Sequence, residues 1–413
     1  LVGSEMCIRD SCCTAAYNAD VDGFFHKWLQ DARDSQAENG MYPDVIPKVR
    51  VAGWGGAAWS DAGIIVPYTM WKMYADTDII REHYASMERY MDWLATTELS
   101  GPNATYGDWL AYEPTDARYI SVAYYALDAR YMAAMSRAID RADRAAHYDS
   151  LFEQIRDHFR RIYCNAEGDL NPEVRTQTGY LLALRNDLLL PERRPAAVAA
   201  LKQKIIDNGY KLSTGFVGSC ILNEVLAEFG ENDLAYSLLL QTENPSWLYS
   251  VHQGATTIWE RWNSYTKATG FGDVGMNSFN HYAYGAVQEW MYRHIAGIET
   301  TEQAPGFAHP ILQPKPDTRS AEEIPAGQEK ITWVRTSFAS PVGLIESAWD
   351  MTDGFTYTCR VPVAATLHLP LIGNAETLVI NGVAHKPDEF KLCPVGKGVT
   401  IELAPGAYTF EQK

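Results

Sequence analysis

The sequence has little positive charge. Its 413 residues carry 35 Lys and Arg against 52 Asp and Glu, a net charge of −17, and there is no Lys/Arg-rich run. Such a surface repels phosphate backbones and anionic headgroups, which argues against nucleic acid or a membrane as partner and for a neutral substrate. No apolar run approaches the ~18 residues that a membrane-spanning helix needs. Cysteine is sparse and badly spaced for chemistry. Cys7, Cys12, Cys13, Cys164, Cys220, Cys359 and Cys393 show no metal-ligand spacing, and adjacent Cys12 and Cys13 are not a CxxC pair. Neither a disulfide framework nor a zinc site is expected, and no metal or cofactor is implied. A short-period repeat is also missing.

What the chain has is apolar and aromatic content. At 46% hydrophobic residues it can fill real cores, and 413 residues suffice for two domains. Twelve Trp and 24 Tyr raise the expectation of carbohydrate binding, although helical cores also consume aromatics. The stretch Gly254-Ala-Thr-Thr-Ile-Trp-Glu-Arg-Trp262 sets Glu260 between Trp259 and Trp262. Indole faces suit the C–H side of a sugar ring, and a carboxylate among them can accept hydrogen bonds or abstract a proton. The competing reading is a structural ion pair of Glu260 and Arg261 under a Trp cap. Two neighbouring aromatic- and amide-rich stretches, Ser246-Trp-Leu-Tyr249 and Met276-Asn-Ser-Phe-Asn-His-Tyr-Ala-Tyr-Gly285, favour a site.

Residues 1–11 do not fit the rest. They show neither a signal-peptide core nor a helical stripe and resemble translated sequencing-adapter read-through. They are expected to be artefactual, with the native beginning, any targeting signal and hence any indication of location lost. About ten helices follow, at 14–37, from 61, and at 78–95, 121–139, 143–163, 176–186, 195–208, 218–229, 232–241 and 280–296. Apolar residues recur in them at three- and four-residue spacing. An irregular stretch over 41–60 is long enough to suggest function. Paired helices with Trp/Asp/Glu-rich segments in alternate loops, and so at one end, predict an α/α toroid, mainly α, short of its first pair. Beyond Gly297 the pattern alternates, with candidate strands at 331–338, 343–349, 355–361, 365–369, 377–380, 398–403 and 406–410. Asn381-Gly382 signals a hairpin, and the whole reads as a β-sandwich. The expected division is 1–11, 12–298 for the toroid and 299–413 for the sandwich.

Seven separated motifs then agree in order. They are Asn18-Ala-Asp-Val21, Trp59-Ser-Asp-Ala-Gly-Ile-Ile-Val-Pro67, Gly107-Asp-Trp-Leu110, Leu212-Ser-Thr-Gly-Phe-Val-Gly218, Pro245-Ser-Trp-Leu-Tyr249 and the Glu260 and His281 stretches. Together they resemble bacterial α-L-rhamnosidases of glycoside hydrolase family 78, from about Thr14 to the end. The resemblance implies an (α/α)6 catalytic barrel followed by a β-sandwich. It also implies release of terminal α-L-rhamnose with inversion, and Glu260 as the general base that activates water. The family's general acid lies in a motif ahead of the helix expected at Thr14, where residues 1–11 now stand; it is carried onto neither Glu5 nor Asp10.

The remaining candidates each carry a structural alternative. Asp61 and Asp108 could hold sugar hydroxyls or cap helices. Trp59 and Trp109 could stack on the sugar or pack the core, and Trp247 and Trp259 are further candidates for the sugar wall. Asn280 and His281 could hydrogen-bond the sugar. Trp54, His252 and Asp273 are set aside. Two other functions stay open: another α/α-toroid glycosidase, of trehalase or glucoamylase type, and a non-catalytic glycan-binding protein.

Overall fold

Short polar side chains set where several helices begin. Asp76, Asp116, Thr176 and Ser246 each accept backbone N–H bonds from the first turn that follows them, which satisfies donors that a helix leaves open. A computed structural model of the chain describes residues 5–49, 53–102, 106–394 and 396–413. Among them are twelve α-helices: α1 Glu5–Asn18, α2 Asp22–Asp34, α3 Ala62–Tyr74, α4 Thr77–Ala95, α5 Ala117–Ala138, α6 Ala142–Tyr163, α7 Gln177–Arg185, α8 Arg194–Asp207, α9 Phe216–Glu228, α10 Asn232–Leu239, α11 Trp247–His252 and α12 Val287–Trp290.

The helices form two concentric rings. In the inner ring α1 packs on α3, α3 on α5, α5 on α7, α7 on α9, α9 on α12 and α12 back on α1. Helices α4, α6, α8 and α10 lie outside, each against its hairpin partner, and α2 lies against α3 and α4. Burial follows this arrangement. Helices α3, α5 and α9 are buried nearly all round, whereas α4 and α6 bury one stripe, as helices facing solvent do.

Three differences from the sequence reading have physical causes. The single helix expected over 14–37 is two, because the chain turns between Asn18 and Asp22. The first of these, α1, reaches back to Glu5, into the segment set aside as lacking a helical stripe. Ile8, Cys12 and Ala16, four residues apart, are all buried, so the stripe exists but is interrupted by Arg9, Asp10 and Ser11. Residues 1–4 of that segment lie outside the described residues. Third, α11 is only six residues long, too short for periodicity to show. The expected ten helices therefore become twelve among the described residues. The helix expected over 280–296 is a composite: a 3-10 turn, Tyr282–Ala286, then α12, then a π turn, Met291–Ile295.

A small hairpin, β1 Tyr265–Thr266 with β2 Gly270–Phe271, follows the Glu260 stretch. The C-terminal strands are β3 Ile298–Glu299, β4 Ile311–Leu312, β5 Trp333–Ser340, β6 Gly343–Asp350, β7 Thr356–Val361, β8 Ala365–Pro370, β9 Leu378–Ile380, β10 Val383–His385, β11 Lys391–Leu392, β12 Gly398–Leu403 and β13 Gly406–Gln412. They form two sheets, β10-β9-β13-β7-β6-β5 and β11-β12-β8-β4-β3. Every pairing is antiparallel except β4 with β8. Alternating burial in β7 and β8 puts one face of each strand into the core. The turn Asn381-Gly382 joins β9 to β10 with φ of 48° and 84°. Two positive values in a two-residue loop make the tight hairpin that this dipeptide favours.

Candidate active site

Loops at one mouth of the toroid bring most of the candidates together. Glu260 lies in the loop after α11 and is half-buried. Its backbone N–H donates to Ser278 O (2.9 Å). In return, Ser278 N–H donates to Glu260 Oε2 (2.8 Å). This reciprocal clamp joins the two aromatic stretches. No hydrogen bond from the described residues reaches Glu260 Oε1. Arg261 turns away: its Nε donates to Met276 O (3.1 Å), and no ion pair links it to Glu260 among the described residues. The structural-pair alternative is therefore not what the loop forms.

An aromatic wall stands beside this clamp. Tyr284 stacks on Trp262 at 3.8 Å between ring centroids, and Trp262 meets Trp247 edge-on. Trp247 Nε1 donates to Tyr284 O (2.8 Å), and Phe216, the first residue of α9, touches both Tyr284 and His281. The His281 backbone N–H donates to Ile258 O (2.9 Å). Burial lowers the His281 imidazole below its ordinary range, while the Glu260 charge opposes the shift. Asn280, next to it, is exposed. Trp259 is buried against Tyr265 and Phe279.

A second loop group faces the first across Phe216. Trp109 O accepts from Phe216 N–H (3.0 Å), and Trp109 meets Tyr106, which in turn packs on buried Trp59. Asp108 is buried and fully engaged. Its Oδ2 accepts from the Thr178 hydroxyl and from Gly215 N–H (2.9 Å), and its Oδ1 from Gly218 N–H (3.2 Å). It thus serves the positive end of α9. Burial raises its pKa above the ordinary carboxylate range, against those hydrogen bonds. Between the two groups a pocket of about 240 Å³ is lined by Leu110, Ala111, Tyr112, Arg261, Trp262 and Asn263.

Asp61 is deeper, only 1% exposed. It precedes α3 but does not cap it with its side chain. It accepts instead from Ala58 N–H and from Tyr90 OH (3.1 Å). Asp128 beside it is held well above the carboxylate range, by burial first and then by the Asp61 charge. Asp10 is also buried, bound through Oδ1 to Arg9 Nε (2.7 Å), and burial outweighs that partner to push it up to about 6. Three groups of His, Asp and Glu come close enough to share a cation among the described residues, and none includes Glu260. The cysteines described, Cys12, Cys13, Cys164, Cys220, Cys359 and Cys393, are free thiols.

Sequence reasoning did not single out Ser278, Phe216, Tyr284 or Tyr106. The first three lie inside motifs it quoted, and Tyr106 lies beside one. Their roles depend on which loops meet, which spacing along the chain does not record.

Comparison with known proteins points one way. The model of the bacterial alpha-L-rhamnosidase 6 hairpin glycosidase domain matches residues 8–295, and that of the bacterial alpha-L-rhamnosidase C-terminal domain matches 297–383. An alpha-L-rhamnosidase of Formosa agariphila is 35% identical over 415 residues, covering 97% of this chain and 43% of that protein. One of Streptomyces avermitilis is 38% identical over 357 residues, covering 86% and 33%. The crystal structure of the Streptomyces avermitilis alpha-L-rhamnosidase complexed with L-rhamnose superposes with a TM-score of 0.88 at 33% identity, covering all of this chain and 38% of that one. The chain spans less than half the length of these relatives.

Proposed function

The chain belongs to the bacterial α-L-rhamnosidase six-hairpin glycosidase family, and from that premise we propose that it carries the catalytic toroid of an inverting hydrolase releasing terminal α-L-rhamnose, with Glu260 as general base. The observation that carries the role of Glu260 is its clamp. Ser278 fixes one carboxylate oxygen and leaves the other without a protein donor among the described residues, as a base that must take a proton from water requires. Trp109, Asn280 and His281, half-buried or exposed, are the proposed contacts to the sugar. Trp59, Trp247, Trp259, Asp61 and Asp108 are buried, and their proposed part is to hold the walls. Relatives named for rhamnose, one of them solved with L-rhamnose bound, support a rhamnose-containing glycoside as substrate.

Inversion also needs a carboxylic acid roughly 6.5–9.5 Å across the sugar from the base. Asp10, buried against Arg9, is not proposed for that part, and no residue is assigned to it. The test is built around this gap. In a rhamnosyl fluoride the departing fluoride needs no proton, so a positioned base and water suffice. The 413-residue chain should bind L-rhamnose and hydrolyse the fluoride with inversion, read by NMR. Glu260→Gln should lower that turnover by ~10²–10⁴ while leaving rhamnose affinity and circular dichroism unchanged. A variant within threefold of the parent would sink the base assignment. Preference for glucosyl over rhamnosyl fluoride would favour the trehalase- or glucoamylase-like reading. Rhamnose binding with no hydrolysis of the fluoride would favour a glycan-binding role.

A further inference from the structure

On the outer ring, far in sequence from the Glu260 loop, three side chains converge from two helices. His26 comes from α2, and Glu82 and His83 from α4; one ligand atom of each lies within 4.8 Å of the others. Ligands on a four-coordinate zinc stand about 3.5 Å apart, given bond lengths near 2.0–2.2 Å, so a modest contraction closes the set. The Glu82 side chain is 57% exposed and is free to make that movement.

The two imidazoles are prepared differently. His26 Nε2 lies 2.6 Å from Asp76 Oδ2, and its Nδ1 lies 3.4 Å from Glu82 Oε2. Asp76 is itself fixed, because its Oδ1 caps α4 through Asp78 N–H (2.8 Å) and Ile79 N–H (3.3 Å). A carboxylate that accepts from one ring nitrogen leaves the lone pair of the other directed outwards, the arrangement that orients metal-bound histidines. His83 is 2% exposed, and its Nε2 has no hydrogen-bond partner, which is unusual for a buried polar atom. Burial, with Arg33 and His26 nearby, lowers its imidazole to about 4, whereas at His26 burial is outweighed by the Asp76 hydrogen bond and the charges of Asp76, Asp22 and Glu82, which raise that imidazole. Arg33 is the opposing charge and donates to the Glu82 carbonyl oxygen (3.3 Å). Against it stand the carboxylates of Asp22, Asp76 and Glu82, all within 4.0 Å of His26.

We propose that His26, Glu82 and His83 bind one borderline divalent cation, of the Zn²⁺ class, that ties α2 to α4. Two imidazoles and a carboxylate suit Zn²⁺ better than the all-oxygen preference of Ca²⁺ or Mg²⁺. Water would complete the coordination. The cation would act on stability, since it links two outer helices and none of its ligands belongs to the candidate active site.

The test titrates the chelator-stripped chain with Zn²⁺ against a chromophoric competitor. One Zn²⁺ should bind per chain, and the melting temperature should rise with Zn²⁺ concentration, as expected for a ligand of the folded state. His26→Gln and Glu82→Gln should each weaken binding tenfold or more and remove the Zn²⁺-dependent rise. Both residues lie partly or largely at the surface, so the variants should fold even if a change at buried His83 does not. Absence of saturable binding would overturn the proposal. Undiminished binding in both variants would also overturn it, because the ligands would then lie elsewhere, at the free thiols or at the group of Glu224, Glu228 and His294.

Discussion

Asp108 and Glu260 are carboxylates in loops at the same mouth of the toroid, and their oxygens are used differently. Asp108 takes hydrogen bonds from Thr178, Gly215 and Gly218, whereas a single N–H from Ser278 holds Glu260. Removing a buried acceptor strands its donors at about 1–3 kcal/mol. Asp108→Ala is therefore expected to lower unfolding stability in urea by that amount or more. Asp108→Asn, which keeps one acceptor oxygen, should cost less. If both variants melt like the parent while losing rhamnose affinity, Asp108 is a sugar ligand and the capping account fails. The sequence presented both duties for Asp108 and could not choose, because the choice depends on α9 starting against the loop that holds it. Glu260 stood out in the sequence for the opposite reason: its indole and amide neighbours are consecutive in the chain. Trp247 and Trp259 were legible as aromatics of the site region but not as buried ones, since Tyr284 and Phe279, which cover them, come from another loop.

At the scale of elements, long periodic helices were readable and short ones were not. Helices α4 and α6 each carry a continuous apolar stripe over five turns or so, and their limits agree with expectation to within a residue. Helix α11 and the two-residue strands β3 and β4 carry too few residues for any period to register. Helix α1 is the instructive case. Its first turns read as foreign because a buried Arg and Asp interrupt the apolar positions, yet Ile8 is in the core cluster. Truncating a buried isoleucine typically costs about 2–5 kcal/mol through lost transfer energy and the cavity left behind. Ile8→Ala should show a loss in that range by urea unfolding, at unchanged m-value. A change below about 0.5 kcal/mol, the size usual for surface substitutions, would mean that these turns do not contribute to the ring and that 1–11 are dispensable.

For the molecule as a whole, the question is whether the sandwich is an appendage of the toroid or part of its stability. The last helical segment of the toroid ends with carbonyls that no further turn can satisfy. Two of them are taken up by the sandwich. Trp349 Nε1, on β6, donates to Ile295 O (2.8 Å), and Ser347 Oγ donates to Ala296 O (2.6 Å). Both side chains are almost wholly buried. Beside them Tyr17 of α1 stacks on Tyr292 at 4.8 Å and touches Phe338 of β5 and Phe307. One aromatic cluster thus draws on the first inner helix, the last one and a sandwich strand. Coupling of this kind predicts that the toroid and the sandwich unfold together. Trp349→Phe keeps much of the apolar contact but strands the Ile295 carbonyl, at about 1–3 kcal/mol. Trp349→Ala also opens a cavity, and a loss of about 3–5 kcal/mol is usual for such truncations. The measurement is thermal unfolding followed by two probes, far-ultraviolet circular dichroism for the helices and hydrogen exchange of the β6 and β7 amides. Both should shift by the same amount in each variant, with Ala the larger. If the strand amides lose protection while the helical transition stays where it was, the carbonyl contacts do not couple the two parts, and the toroid stands without its sandwich.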